Sequence, residues 1–302
     1  MDHKRIATEV RTVIKETFAE WFNDRAPRLG AALAYYTVFS LAPLLLIIIA
    51  IAGLVFGEAA AQGQIVEQIE GVVGADGARA LQTMLANTRQ QASGLLATLL
   101  GLTMLVVAAS GLVVELQDAL NTVFAAPPRP GLGVLTAIKD RLVSLTLVIG
   151  IGFLMMVSLT LSAGLAAVVR YFAHLLPGTV YVAYALQAFN FLFSVGVITI
   201  LFVAIYRVLP DVTPGWRDVW VGSAATAFLF TIGQFMVALY LGRGTVGSPY
   251  GAAGALVVLL VWVYYSAQIL FLGAEFTKIY AKHYGRPVTS HPAAAARARG
   301  LG

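Results

Sequence analysis

The chain contains no cysteine among its 302 residues and little charge: 12% are Asp, Glu, Lys or Arg, against roughly 25% in an ordinary soluble domain. The first absence excludes a disulfide framework, a thiolate nucleophile and any cysteine-ligated metal. The second excludes a soluble globule of this size, because polar residues are too few to cover its surface. The 59% hydrophobic content excludes a disordered chain. Histidine is scarce too. His3, His174, His283 and His291 stand apart, none with a second ligand at metal-binding spacing. The zinc-protease, nucleophile-elbow and phosphate-loop motifs are missing. Gly242-Arg243-Gly244-Thr245-Val246-Gly247 has the glycine spacing of a dinucleotide loop. It follows an apolar helical pattern rather than a strand, and no acid stands roughly 20 positions on; it reads as a flexible turn.

What the chain has is long uncharged runs. Residues 29–57, 90–114, 142–169, 171–206, 219–242 and 244–274 carry no Asp, Glu, Lys or Arg. About 20 apolar residues cross the hydrocarbon core as a helix. The pattern predicts six spans, at 31–56, 94–114, 142–168, 183–206, 219–241 and 252–275. Pro177-Gly178 interrupts the run ahead of the fourth. The ten-residue alternation of a membrane β-barrel is missing. A cleavable signal peptide is not expected: the first apolar run is too long, holds Pro43, and follows a charged segment.

Lysine and arginine set the orientation. Lys4, Arg5, Arg11, Lys15, Arg25, Arg28, Arg129, Lys139, Arg141, Arg207, Arg217, Lys278, Lys282, Arg286, Arg297 and Arg299 fall on one side of a six-span layout. Only Arg79, Arg89, Arg170 and Arg243 fall on the other. The positive-inside rule puts both termini in the cytoplasm. The basic charge is therefore a topology signal and a contact for anionic headgroups, with no nucleic-acid partner expected.

The layout divides into a cytoplasmic amphipathic segment at 1–28, a six-span domain at 29–276 and a basic cytoplasmic tail at 277–302. In the first segment Ile6, Val10, Val13, Ile14, Phe18, Trp21 and Phe22 recur at helical spacing, with Arg5, Glu9, Arg11, Lys15 and Glu16 filling much of the other face. This helix either lies along the inner interface or packs on the cytoplasmic ends of the bundle. The connection 57–93 is long for a structureless loop. Ile65, Val66, Ile69, Val72 and Val73 form one helical stripe and Leu81, Met84 and Leu85 another, with Gly74-Ala75-Asp76-Gly77 as the turn. It reads as an external helical hairpin. Pro127-Pro128-Arg129-Pro130-Gly131 is a stiff turn, and the last dozen residues read as a frayed tail.

Catalysis needs positioned acids, bases or metal ligands. Glu58, Glu67, Glu70 and Asp76 lie on the external hairpin. Glu115, Asp118, Asp140, Asp211 and Asp218 are scattered over several inner connections. No catalytic set, metal or cofactor is expected, and the chain is not read as an enzyme. Polar residues inside spans are costly and face the bundle. Tyr36, Ser40 and Pro43 share one face of the first span, and Pro43 frees a carbonyl one turn back. Tyr265, Gln268 and Glu275 share one face of the sixth, and the second ends at Ser110, Glu115, Gln117 and Asp118. With Arg25 and Arg28 at the mouth, these residues point to a polar cavity open to the cytoplasm between the first, second and sixth spans. Glu115 and Glu275 would bind a cation or proton there, or pair with Arg25 and Arg28. The alternative is helix glue, in which Ser, Thr and Gln contacts hold spans together at about 0.6 kcal/mol each. Gln187, Asn190 and Ser194 in the fourth span, and Thr226, Gly233 and Gln234 in the fifth, either continue the path or pack. Gly53 and Gly57 form a small-residue pair suited to close helix contact; nothing sets an oligomeric state.

Arg28-Leu29-Gly30-Ala31-Ala32-Leu33-Ala34-Tyr35-Tyr36-Thr37-Val38-Phe39-Ser40-Leu41-Ala42-Pro43-Leu44 resembles the opening signature of the YihY / virulence factor BrkB family. Leu116-Gln117-Asp118-Ala119-Leu120-Asn121, Leu209-Pro210-Asp211, Tyr250-Gly251, Trp262-x-Tyr264-Tyr265-Ser266 and Gly273-Ala274-Glu275 follow in the family's order. The resemblance covers about residues 20–285. It implies a bacterial inner-membrane protein of six helices, regarded as a transporter or an envelope-maintenance protein. An older ribonuclease label finds no support in these residues. The family motifs fall on Tyr36, Ser40, Pro43, Gln117, Asn121 and Glu275, much the same cluster reached from the residues themselves.

The expectation is an all-α polytopic bundle of six transmembrane helices, with an interfacial N-terminal helix and an external hairpin. Membrane lipids are its partners. The leading function is movement of a solute or lipid-like amphiphile, with Tyr36, Ser40, Pro43, Ser110, Glu115, Gln117, Asn121, Tyr265, Gln268 and Glu275 at the substrate site. The alternative is a non-transporting envelope scaffold that binds lipid or partner proteins.

Overall fold

The structure, a computed structural model, describes residues 3–57, 62–63, 66–67, 78–79, 82–83, 111–127, 150, 180–241, 252–285 and 289–290. The described elements are α1 (His3–Asn23), α2 (Ala26–Phe56), α3 (111–123), α4 (Val180–Val208), β1 (Val212–Thr213), α5 (Trp216–Leu241), α6 (Ala252–Tyr284) and β2 (Thr289–Ser290). Among them Phe191–Val208 and Leu259–Tyr284 are long and apolar enough to cross a membrane. The third expected span (apart from Gly150), Ser110, the Gly74–Gly77 turn and the glycine-spaced loop at 242–247 lie outside the described residues. The described pieces of the expected hairpin, at 62–63, 66–67, 78–79 and 82–83, are helical.

Element ends follow local chemistry. A left-handed residue, Arg25 at φ 54°, separates α1 from α2. Its N–H donates to the Phe22 carbonyl at 3.1 Å while the Asp24 N–H donates to Glu20 at 2.8 Å, so the last turn of α1 closes on itself. Pro27 follows in the first turn of α2, where its missing N–H costs nothing. The helix therefore starts earlier than the apolar run predicts. Pro43 does not interrupt it: α2 is helical from Ala26 to Phe56, so the proline removes one hydrogen bond without ending the element. α6 runs nine residues past the expected end of the sixth span because no breaker intervenes before Gly285 and Pro287, and Thr277, Ile279 and Ala281 stay buried. At 33 residues α6 is about 50 Å long, well over the roughly 30 Å of a hydrocarbon core, so an end projects.

α6 is the hub: α1, α2 and α5 pack against it, and α4 packs on α5. The α5–α6 seam is built from two Gly-x-x-x-Thr segments. Gly222 of α5 lies against Thr277 of α6, and Gly273 of α6 lies against Thr226 of α5. Each threonine donates back to the carbonyl four residues earlier in its own helix, Thr226 to Gly222 and Thr277 to Gly273, both at 2.7 Å. Both threonine hydroxyls are thus satisfied within their own helices while the glycines let the backbones approach, as in membrane helix pairs. A Cβ on Gly273 would stand 2.8 Å from Thr226 Cβ, so any larger residue forces the helices apart. Thr226 is therefore a packing residue. Tyr206 of α4, fully buried, joins the seam by donating to the Leu270 carbonyl at 2.7 Å and meeting Thr226 Oγ1 at 3.2 Å.

One feature departs from an all-helical expectation. β1 and β2 pair antiparallel, Val212 opposite Ser290 and Thr213 opposite Thr289, which ties the stretch just after α6 to the α4–α5 connection. Asn121 makes a second tie to that connection, with Nδ2 donating to Asp211 Oδ2 and Oδ1 accepting from the Asp211 N–H, each at 2.8 Å. Arg207 adds a third, donating to the Pro214 carbonyl while its guanidinium lies 5.0 Å from the centre of the Trp216 ring. α1, the end of α3, the α4–α5 connection and the end of α6 therefore meet at one end of the bundle.

Candidate functional site

At that shared end α1 runs antiparallel to the last turns of α6. The acids of α1 meet the bases of α6 in order. Glu16 Oε2 lies 3.2 Å from Lys282 Nζ and 3.1 Å from His283 Nε2. Glu20 and Asp24 lie 3.4 and 3.1 Å from Lys278 Nζ, and Tyr284 donates its hydroxyl to Glu9 at 3.3 Å. Lys278 also reaches one turn back along α6 to Glu275, at 2.7 Å. Glu275 has no solvent exposure. One carboxylate oxygen from each of Glu20, Asp24 and Glu275 lies within 4.8 Å of the others, with the ammonium of Lys278 against all three. The protein thus supplies its own cation to a three-acid cage, leaving acids in excess. Glu275 meets Lys278, and not Arg25 or Arg28, which are both exposed.

Two turns further along α6, Gln268 lies against the backbone of α2 at Gly30, where a Cβ would collide with the amide. Among the described residues neither Nε2 nor Oε1 of this buried amide has a hydrogen-bond partner. Glu275 and Gln268 are seven residues apart, about 10 Å along the helix and on one face. The amide and the cage therefore form one polar line from the α2–α6 seam to the α1–α6 junction.

The other expected site residues fall around this line. Ser40 is buried. Tyr36 is 41% exposed, and its ring stands beside Gly111 of α3, so the first and second segments do meet there. Pro43 lies within the continuous α2. Glu115 and Gln117 are half-buried on α3; burial, and after it the nearby Asp118 charge, hold the Glu115 carboxyl above the ordinary carboxylate range. Tyr265 packs its ring against Gly233 of α5. Asn121 is occupied by Asp211. Gln268 and Glu275 thus share a line, Tyr36 adjoins α3, and Asn121 and Tyr265 bind other elements together.

Reading the sequence missed Glu20, Asp24 and Lys278. A signal was present. Glu9, Glu16, Glu20 and Asp24 fall on one side of a helical wheel, and Glu275 and Lys278 stand i, i+3 in a helix. The acids and bases of the amphipathic segment need to be separated by sign, not grouped as one polar face.

Long apolar helices with buried, paired polar groups define a membrane-embedded helical protein. The virulence factor BrkB family profile matches residues 17–298, and the chain belongs to that family. It is 29% identical over 270 residues to a UPF0761 membrane protein of Verminephrobacter eiseniae, covering 87% of this chain and 60% of the relative. It is 30% identical over 265 residues to one of Azotobacter vinelandii, covering 85% and 60%. A shorter match to one of Tolumonas auensis is 33% identical over 93 residues, 30% of each chain. The chain thus spans about 60% of the length of the Verminephrobacter eiseniae and Azotobacter vinelandii relatives. No solved structure matches it.

Proposed function

We propose that this protein crosses the bacterial inner membrane six times with both termini in the cytoplasm, and moves a solute or lipid-like amphiphile along a cytoplasm-facing polar path. The observation that carries the reading is the line on α6: a buried amide at Gln268, unpartnered among the described residues, leading to a fully buried Glu275 inside the acid cage. Burying such groups in a bilayer is expensive, and intramembrane acids cluster at substrate, ion and proton pathways. Three carboxylates against one ammonium attract a further proton or cation by simple Coulomb attraction. Tyr36, Ser40, Glu115 and Gln117 would line the path. α1 and the end of α6, which meet at the cage, carry Lys4, Arg5, Arg11, Lys15, Lys278 and Lys282, which supports a cytoplasmic placement. Surrounding lipids are the partners, and no bond-making chemistry is assigned.

The test is flux through proteoliposomes. Dithionite bleaching of fluorescent phosphatidylglycerol reads amphiphile movement, and an entrapped pH dye reads proton movement. Wild type is expected to raise at least one rate over empty vesicles. Glu275→Gln and Tyr36→Phe are expected to lower it several-fold while eluting as folded protein. Variants as active as wild type would remove these residues from the path. A second reading, an envelope scaffold, draws on the three ties that staple the α4–α5 connection to its neighbours; it expects no flux from wild type.

A further inference from the structure

The two charge signs of α1 are segregated. Its acids, Glu9, Glu16 and Glu20, face the end of α6, where the hydrogen bonds and ion pairs above hold them. Its described cations, Arg11 and Lys15, lie on the opposite side and are exposed. They share that outward side with Ile14, Phe18 and Phe22, and Val10 extends the stripe. All four apolar residues are exposed, Phe18 by 48% and Phe22 by 65%. Val13 and Thr17, on the inward side, are buried. A helix whose acidic face is consumed by its own protein, and whose free face alternates large apolar side chains with cations, fits neither water nor a basic partner.

We infer that the outward face of α1 is a docking surface for anionic lipid, with Phe18, Phe22 and Ile14 among the acyl chains and Arg11 and Lys15 on the headgroup phosphates. Charge complementarity selects this occupant. The cations that flank the stripe match an anionic leaflet, which attracts basic side chains near its surface. The apolar residues supply the non-electrostatic part. α1 is thereby clamped between α6 and the leaflet, so lipid composition bears directly on the helix whose Glu20 and Asp24 close the acid cage. The inference stands whether or not the cage conducts anything.

Because the chain has no cysteine, single spin labels report without background. Phe18→Cys and Thr12→Cys, both at exposed positions of α1 on different sides, would be labelled in the full-length protein in lipid nanodiscs. In discs containing phosphatidylglycerol, the label at 18 is expected to collide with dissolved oxygen and be several-fold less accessible to an aqueous nickel chelate than the label at 12. In discs of phosphatidylcholine alone that difference is expected to shrink, and Arg11→Gln with Lys15→Gln is expected to abolish the dependence on lipid charge. Equal aqueous access at 18 and 12 in both discs would overturn the inference. So would a short distance between labels at 18 on two copies, which would give the stripe to a second chain. An oxygen-accessible label indifferent to lipid charge would remove the anionic headgroup from it.

Discussion

At the residue scale, the Glu275–Lys278 pair governs the shared end. Lys278 is mostly buried and Glu275 wholly so, and a buried pair is worth less than the damage done by removing half of it. Lys278→Met is therefore expected to lower stability by about 3 kcal/mol or more, because it strands a buried carboxylate among two others. Adding Glu275→Leu is expected to restore most of that loss, since no buried charge then remains beside the α1 acids. Thermal unfolding of both variants in detergent checks this. A double variant no more stable than the single one would show that the pair is not the source of the effect.

At the scale of elements, α1 is held by its acidic row. Glu16 is the outermost ion-paired member. Its carboxyl is held below its ordinary value of 4.5 first by hydrogen bonding with His283 and then by Lys282. A carboxyl lowered in the folded state contributes stability that is present above its unfolded value and lost as pH falls through its folded value. The grip of α1 on α6 is thus expected to hold near neutrality and loosen progressively below about pH 4.5, the unfolded value. Glu16 is largely solvated, so this one contact is worth about 0.5 kcal/mol. Hydrogen exchange of α1, corrected for intrinsic rates, reads the change, and Glu16→Gln should bring the looser state to neutral pH. The α5–α6 seam should show no such response, since glycine backbones and self-bonded threonines form its close contact.

At the scale of the whole molecule, the ties at one end constrain how the chain threads the bilayer. Segments around 24, 121, 211 and 289 lie together, and the proposed topology puts them on one side of the membrane. In intact bacteria, Gly63→Cys in the expected external hairpin is expected to react with an impermeant maleimide. Arg217→Cys at the start of α5 should react only after the inner membrane is opened. Both positions are exposed, so failure to react reports sidedness and not burial. Labelling of Arg217→Cys in intact cells would invert the orientation and move the acid cage to the periplasmic face.

Composition was enough to call for apolar helices, because a chain with this little charge has no soluble alternative. Helical spacing placed the amphipathic segment, and long uncharged runs placed the apolar cores of α2, α4, α5 and α6. The lone Gln268 and Glu275 were visible as polar interruptions in an apolar run. The acids that gather round Glu275 were not, because Glu20 and Asp24 reach it only by three-dimensional packing between segments distant in the chain. Lys278 looks like one more topology charge until α1 folds back beside it. Asn121 looks like a path residue until Asp211 arrives from the next connection. Tyr265 looks like a neighbour of Gln268 until Gly233 opens a place for its ring. A short pattern records which face of a helix is apolar, whereas a hydrogen bond needs two atoms within about 3 Å, and that distance is set by how whole helices cross.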